Sequence, residues 1–337
     1  MTASTTLSRK DFVSDQDVRW CPGCGDYSIL NAVQSTFADM GVDRSRTVIV
    51  SGIGCSSRFP YYMSTYGFHS IHGRAPAIAT GVKLANPELD VWVVTGDGDA
   101  LSIGGNHLIH ALRRNVNLKV LLFNNRIYGL TKGQYSPTSP IGKVTKSTPM
   151  GSTDTPFNPL SLAIGAGATF VARSVDVFAA HLKQTIHDAA AHDGSAFVEI
   201  LQNCNIFNDG AFKDLTEKEV KDDAIIELRT GKPLIYGKGM DKGLHLNGFE
   251  VESLDLGNGS GPDDCIHWDP TVENPGMAFT LAQATDSDLP TPIGVYRKVA
   301  HPSFDSLIHG QIDDAKAKRG EGTLDQLINS GDIWEVK

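Results

Sequence analysis

Four short runs of apolar and β-branched residues punctuate the first two-thirds of the chain, at positions 47–51, 91–95, 118–123 and 196–201. Their length and near-continuous apolar character predict buried strands. Helical periodicity spans 26–39, 75–85, 106–114 and 175–191 in between. Strand and helix in alternation predict an α/β fold, a parallel sheet flanked by helices. Small, polar or sulfur-bearing residues stand just past each strand: Gly52-Ile-Gly-Cys55, Gly96-Asp-Gly-Asp99, Asn124-Asn125 and Cys204. Parallel strands open their carboxyl ends onto one edge, where ligands bind. Four motifs far apart in sequence are therefore predicted to meet at one site.

Residues 129–160 are rich in Gly, Pro, Ser and Thr and predict a long ordered loop, a feature that in a compact domain points to function. After Cys204 the periodicity fades. The expected organisation is an N-terminal arm (1–14), a ligand-binding domain (15–205) and an acidic extension (206–337) that packs on the core or on a partner. The chain of 337 residues is 40% hydrophobic and 20% charged, ordinary for a soluble protein. Charge is uneven: 17 basic and 15 acidic residues precede Asn205, against 13 and 24 from there on. No acid lies between Asp99 and Asp154, whereas seven Lys and Arg do, so part of the chain is suited to anions. The acidic whole carries no nucleic-acid module. No apolar leader opens the chain and no run reaches the ~18 apolar residues of a membrane span, so a cytoplasmic location is expected.

Gly96-Asp97-Gly98 is followed after 25 residues by Asn124-Asn125. A diphosphate bound through Mg²⁺ needs hard oxygen donors, and a strand-end carboxylate and a neighbouring strand-end amide supply two. The flanking glycines let backbone N–H groups approach phosphate. The pattern resembles the thiamine diphosphate signature, which implies Asp97, Asn125 and the Ile127 carbonyl as Mg²⁺ ligands. Cys21-Pro-Gly-Cys24, Cys55 and Cys204 suit metal or redox chemistry in a reducing compartment. Spacing alone leaves an iron–sulfur cluster, a structural zinc ion and no site open. Cys265 reads as a plain thiol, and the pairs His69/His72 and His107/His110 as packing or surface positions. His72, in a Gly-containing turn that opens a helix, is a candidate to bind phosphate or substrate.

Trp20-Cys-Pro-Gly-Cys-Gly-Asp26, Gly52-Ile-Gly-Cys-Ser56, His72-Gly-Arg-Ala75, Gly96-Asp-Gly-Asp-Ala100 and Tyr128-Gly-Leu-Thr-Lys-Gly-Gln134 occur in the order found in β subunits of 2-oxoacid:ferredoxin oxidoreductases. Residues 15–205 resemble that family almost throughout. The resemblance implies one [4Fe–4S] cluster held by Cys21, Cys24, Cys55 and Cys204. It also implies a cofactor surrounded by Ile53, Gly54, Cys55, Ser56, His72, Gly73, Arg74, Gly96, Asp97, Gly98, Asp99, Tyr128, Gly129, Leu130 and Thr131. The implied reaction is coenzyme A-dependent decarboxylation of a 2-oxoacid, with release of CO2 and electrons passed to ferredoxin. The glutamate that activates the cofactor is expected from an α subunit in an α2β2 complex, so the chain alone is expected to be inactive. The segment before Cys21 and the long tail look most like 2-oxoglutarate enzymes, with pyruvate the alternative substrate. Two readings of other kinds stay in view: a zinc-stabilised non-catalytic subunit and a non-redox thiamine decarboxylase.

Overall fold

Continuous apolar strands need cover on both faces, and alternate side chains along them must enter different cores. The computed structural model, which describes every residue except 1–6, 258, 287–288, 335 and 337, meets this demand with one large sheet. The first six residues of the N-terminal arm thus lie outside the described residues. Six strands come first: β1 (Thr47–Ser51), β2 (Tyr66–His69), β3 (Asp90–Gly96), β4 (Lys119–Asn124), β5 (Phe170–Val175) and β6 (Ala196–Leu201). They are followed by β7 (Ile225–Leu228), β8 (Ile235–Tyr236), β9 (Lys242–Asn247), β10 (Glu250–Asp255) and β11 (Thr291–Lys298). The eight-stranded sheet has the order β2-β1-β3-β4-β6-β5-β11-β7. Its first six members are parallel, whereas β11 runs antiparallel to β5 and parallel to β7.

Side-chain alternation divides the interior cleanly. Val48, Val50, Val91, Val93, Val120 and Leu122 face one core. Ile49, Trp92, Val94, Leu121 and Phe123 face the other. Helix α1 (Asp26–Asp39) precedes the first strand, and α2 (Ala75–Ala85), α3 (Asp97–Leu101), α4 (Gly105–Arg113), α5 (Pro159–Gly165) and α6 (Ala179–Ala190) connect the parallel strands. The first core takes Ala79 of α2 and Leu108 and Leu112 of α4. The second takes Phe37 of α1 and Leu182 and Ile186 of α6, with Phe12 and Trp20 from the N-terminal segment.

All four predicted strands are present, and four differences have physical causes. The helix expected from 175 starts at Ala179, because Val175 is the last residue of β5. β2 was missed because it is an exposed edge strand, and β5 because Arg173 interrupts its apolar run. β11 was missed because Pro292 and Gly294 break it, and a register shift follows between Val295 and Arg297. Residues 206–337 supply β7 and β11 to the main sheet and form a separate three-stranded sheet, β10-β9-β8. Among the described residues no helix is long and apolar enough to cross a membrane.

Candidate active site

Strand β3 ends at Gly96 and α3 begins at the next residue, which places Asp97 at the carboxyl edge of the sheet, 2% exposed. Burial pushes its carboxyl up to about 6, against the pull of two hydroxyl donors. Those donors are Ser136, 2.5 Å from Asp97 Oδ2, and Thr138, 2.6 Å from it. Both lie on the segment between β4 and α5, which has neither helix nor strand, so the long loop predicted at 129–160 folds back onto the strand-end carboxylate. Asn125 is held from two sides: its Oδ1 accepts from the Ile127 N–H (3.2 Å) and its Nδ2 donates to Gln202 Oε1 (2.9 Å). Between Asn125 and Ile127, Arg126 takes a left-handed conformation, φ 56°.

Asp99 joins three elements. Its Oδ1 accepts from the backbone N–H of Ile53 (3.0 Å) and Gly73 (2.7 Å), and its Oδ2 from the Thr95 hydroxyl (2.6 Å). His72 Nδ1 lies 2.6 Å from the same Oδ1. Any Cβ at Gly52 would come 2.0 Å from Asp99 Oδ2, so that glycine is needed for the loop to close on the carboxylate. Gly98 also makes room for a side chain: its Cα lies under the Tyr128 ring, where a Cβ would stand 2.2 Å from a ring carbon. The Tyr128 hydroxyl donates to the Gly98 carbonyl (3.0 Å).

One cleft gathers Ile53, Gly54, Cys55, Ser56, His72, Gly96, Asp97, Gly98, Asp99, Asn125, Ile127, Tyr128, Gly129, Leu130 and Thr131, together with Phe123, which sequence reasoning did not single out. Gly73 and Arg74 stand outside its lining; Gly73 serves Asp99, and the Arg74 guanidinium contacts His107. The donor chemistry fits Mg²⁺, with a buried carboxylate, an amide oxygen and a backbone carbonyl at one strand-end edge.

Two of the cysteines approach Gly129, which itself lines the cleft. A Cβ there would lie 3.5 Å from Cys55 Sγ and 3.6 Å from Cys204 Sγ, so both thiols face this glycine. Burial pushes the Cys55 thiol up to about 12, helped by Asp26, Cys204 and Cys21. Burial raises the Cys24 thiol too, with Asp26, Cys204 and Cys55 adding to it. The four sulfurs thus share one electrostatic neighbourhood. Among the described residues no three His, Cys, Asp or Glu side chains group closely enough to hold a single metal ion.

Two residues with roles in this arrangement carry no sequence signal. Gln202 accepts from Asn125 on one side and donates through Nε2 to Cys24 Sγ (3.3 Å) on the other, bridging the two halves of the site. Arg58, three residues after Cys55, lines a cavity of about 560 Å³ with Arg19, Tyr61 and His69. This cavity shares Ile53, Gly54 and Leu130 with the cleft.

Residues 52–200 match the family described as thiamine pyrophosphate enzyme, C-terminal TPP binding domain. The 2-oxoglutarate oxidoreductase subunit KorB of Mycobacterium tuberculosis is 54% identical over 330 residues, 97% of this chain and 88% of the relative. A 2-oxoacid:ferredoxin oxidoreductase subunit beta of Sulfolobus sp is 48% identical over 92% of this chain and 94% of its own length. A solved 2-oxoglutarate:ferredoxin oxidoreductase from Magnetococcus marinus, with 2-oxoglutarate, coenzyme A and succinyl-CoA bound, superposes with a TM-score of 0.76 at 32% identity, covering 98% of both chains. Identity of this extent along nearly the whole length places the chain among the β subunits of the 2-oxoacid:ferredoxin oxidoreductases, enzymes that work as multi-subunit complexes.

Proposed function

We propose that this chain is the β subunit of a 2-oxoglutarate:ferredoxin oxidoreductase, forming succinyl-CoA and CO2 from 2-oxoglutarate and coenzyme A and delivering electrons through one [4Fe–4S] cluster to ferredoxin. The observation that carries the reading is that Cys55 lines the same cleft as Asp97, Asn125 and Ile127, and that Gly129 in that lining approaches the sulfurs of Cys55 and Cys204. A redox group held by the thiols would therefore adjoin a cofactor held in the cleft.

Thiamine diphosphate, when bound, supplies the electron sink for loss of CO2 from a 2-oxoacid. Asp97, Asn125 and the Ile127 carbonyl would hold its Mg²⁺, and Cys21, Cys24, Cys55 and Cys204 the cluster. His72 Nδ1 lies 2.6 Å from Asp99 Oδ1, so the ring stands at the wall of the cleft within reach of the bound cofactor or substrate. Buried Phe123 and half-buried Ile53 and Tyr128 give the cleft apolar walls. The activating glutamate would come from the α subunit in an α2β2 complex, and the isolated chain would not turn over.

The adjoining cavity supports 2-oxoglutarate over pyruvate through Arg58, a cation for the second carboxylate that pyruvate lacks, since Arg19 on the same wall is already paired with Asp17. Reconstituted with its α partner, the complex should show a higher kcat/KM for 2-oxoglutarate than for pyruvate. Arg58→Met should lower the 2-oxoglutarate value by about tenfold and spare the pyruvate value, in line with the loss of one charge-assisted contact. A wild-type preference for pyruvate would overturn the substrate assignment.

A further inference from the structure

The interior holds one pair of opposite charges that the cleft does not use. Arg173 on β5 and Glu199 on β6 are 2% and 1% exposed and meet at 2.7 Å between Nε and Oε2. Arg173 Nη1 also donates to the Tyr296 hydroxyl at 3.2 Å. A buried ion pair is a weak source of stability, because desolvation offsets much of the attraction and apolar residues often serve as well. What such a pair does supply is direction.

Glu199 Oε1 accepts from Asn124 Nδ2 at 2.7 Å. A carboxylate can only accept, so the Asn124 amide can stand only one way round, with Nδ2 toward Glu199 and Oδ1 away from it. On that far side Oδ1 accepts from the Arg126 N–H (3.2 Å) and lies 2.9 Å from the Thr138 hydroxyl. Arg126 is the residue in the left-handed conformation, which a side chain other than Gly adopts only when its surroundings hold it there. The bond from Asn124 Oδ1 to its N–H closes the local turn that does so. With the amide reversed, an NH2 would face that N–H and the turn would lose its acceptor. The same Thr138 hydroxyl reaches Asp97.

We propose that Arg173 and Glu199 are positioning residues: by fixing the Asn124 amide they hold the turn at Arg126 that presents Asn125 and the Ile127 carbonyl to Mg²⁺. The proposal rests on the reading of Asp97, Asn125 and Ile127 as the magnesium site.

The test is an exchange of donor and acceptor in the full complex with its α partner. Glu199→Gln lets an NH2 face Asn124, and Asn124→Asp sets two carboxylates against each other. The double variant restores a complementary pair: the new amide on β6 donates to the new carboxylate at the end of β4, which still accepts from the Arg126 N–H. Thiamine diphosphate binding to the cofactor-free complex, followed by tryptophan fluorescence across a Mg²⁺ titration, should show half-saturation at least tenfold higher in each single variant. The double variant should return to within threefold of wild type, and kcat at saturating Mg²⁺ and cofactor should stay within twofold throughout. Unchanged Mg²⁺ dependence in the single variants, or a double variant as weak as the worse single, would overturn the proposal. If Glu199→Gln does not fold, Asn124→Asp against the double variant makes the same comparison, and a double that binds Mg²⁺ no better decides against it. Binding to the wild-type complex that does not depend on Mg²⁺ would instead remove the metal-site reading itself, whatever the variants do.

Discussion

Around the proposed magnesium ligands, Asp97 already accepts from Ser136 and Thr138, and Asn125 is held at both ends of its amide. On the cysteine side, burial and mutual repulsion raise the thiols of Cys24 and Cys55. Asp26 beside them is buried, with its carboxyl pushed up to about 7. One side is organised by the protein's own hydrogen bonds before any ligand arrives. The other gathers sulfur and carboxyl groups that cannot all ionise without a positive partner. The difference teaches that a hard-ion site can be prebuilt from neutral donors, whereas a thiolate site is completed by the metal it holds. Gln202 belongs to both sides.

The largest effect is expected on the cysteine side. Cys204→Ser should lower iron content and visible absorption and cut ferredoxin reduction by about a thousandfold, because the cubane needs four thiolates. Thiamine diphosphate binding should persist, since the magnesium side does not depend on the sulfurs; its loss would show that the two sides do not form independently. Next, Asp97→Asn should weaken Mg²⁺-dependent cofactor binding by about a hundredfold, as expected for a lost ligand. The iron-dependent spectrum should stay intact.

Gln202→Leu probes the shared residue. It removes the N–H donor to Cys24 Sγ and should shift the cluster midpoint to a more negative potential in a reductive titration. It also frees Asn125, and should raise half-saturating Mg²⁺ by about tenfold, the lower range for outer-shell partners of a metal. A change on one side alone would sharpen the comparison by removing the bridge.

The smallest effect lies away from both sides. Burial, with Lys119 and Lys298 nearby, pushes His192 down to about 4. Its Nε2 is 2.7 Å from the Thr169 hydroxyl. The folded state therefore binds fewer protons than the unfolded one between about pH 4 and the ordinary histidine value of 6.5. Stability should fall as pH drops through that window, with a slope of at most about 1.4 kcal/mol per pH unit from this group. His192→Phe should flatten that part of the pH–stability curve and leave cofactor binding unchanged.

Motif-bearing residues were legible because strand ends announce themselves. An apolar run that stops at Gly-Asp-Gly or Asn-Asn shows both where the strand ends and what stands at the ligand edge. Strand β5 was not legible, because Arg173 reads as a break until Glu199 is seen beside it. The same holds for Ser136 and Thr138, ordinary members of a polar loop until the chain returns them to Asp97.

By itself, then, the sequence determined the parallel α/β core, the strand-end residues and the cysteine set, since each depends on local periodicity or on residue chemistry. Tertiary structure alone decided which of them share a cleft and which way the amides of Asn124 and Gln202 face. It also decided that β11 enters the sheet beside β5. Those outcomes depend on partners far away along the chain, and hydrogen-bond direction exists only once both partners are in place.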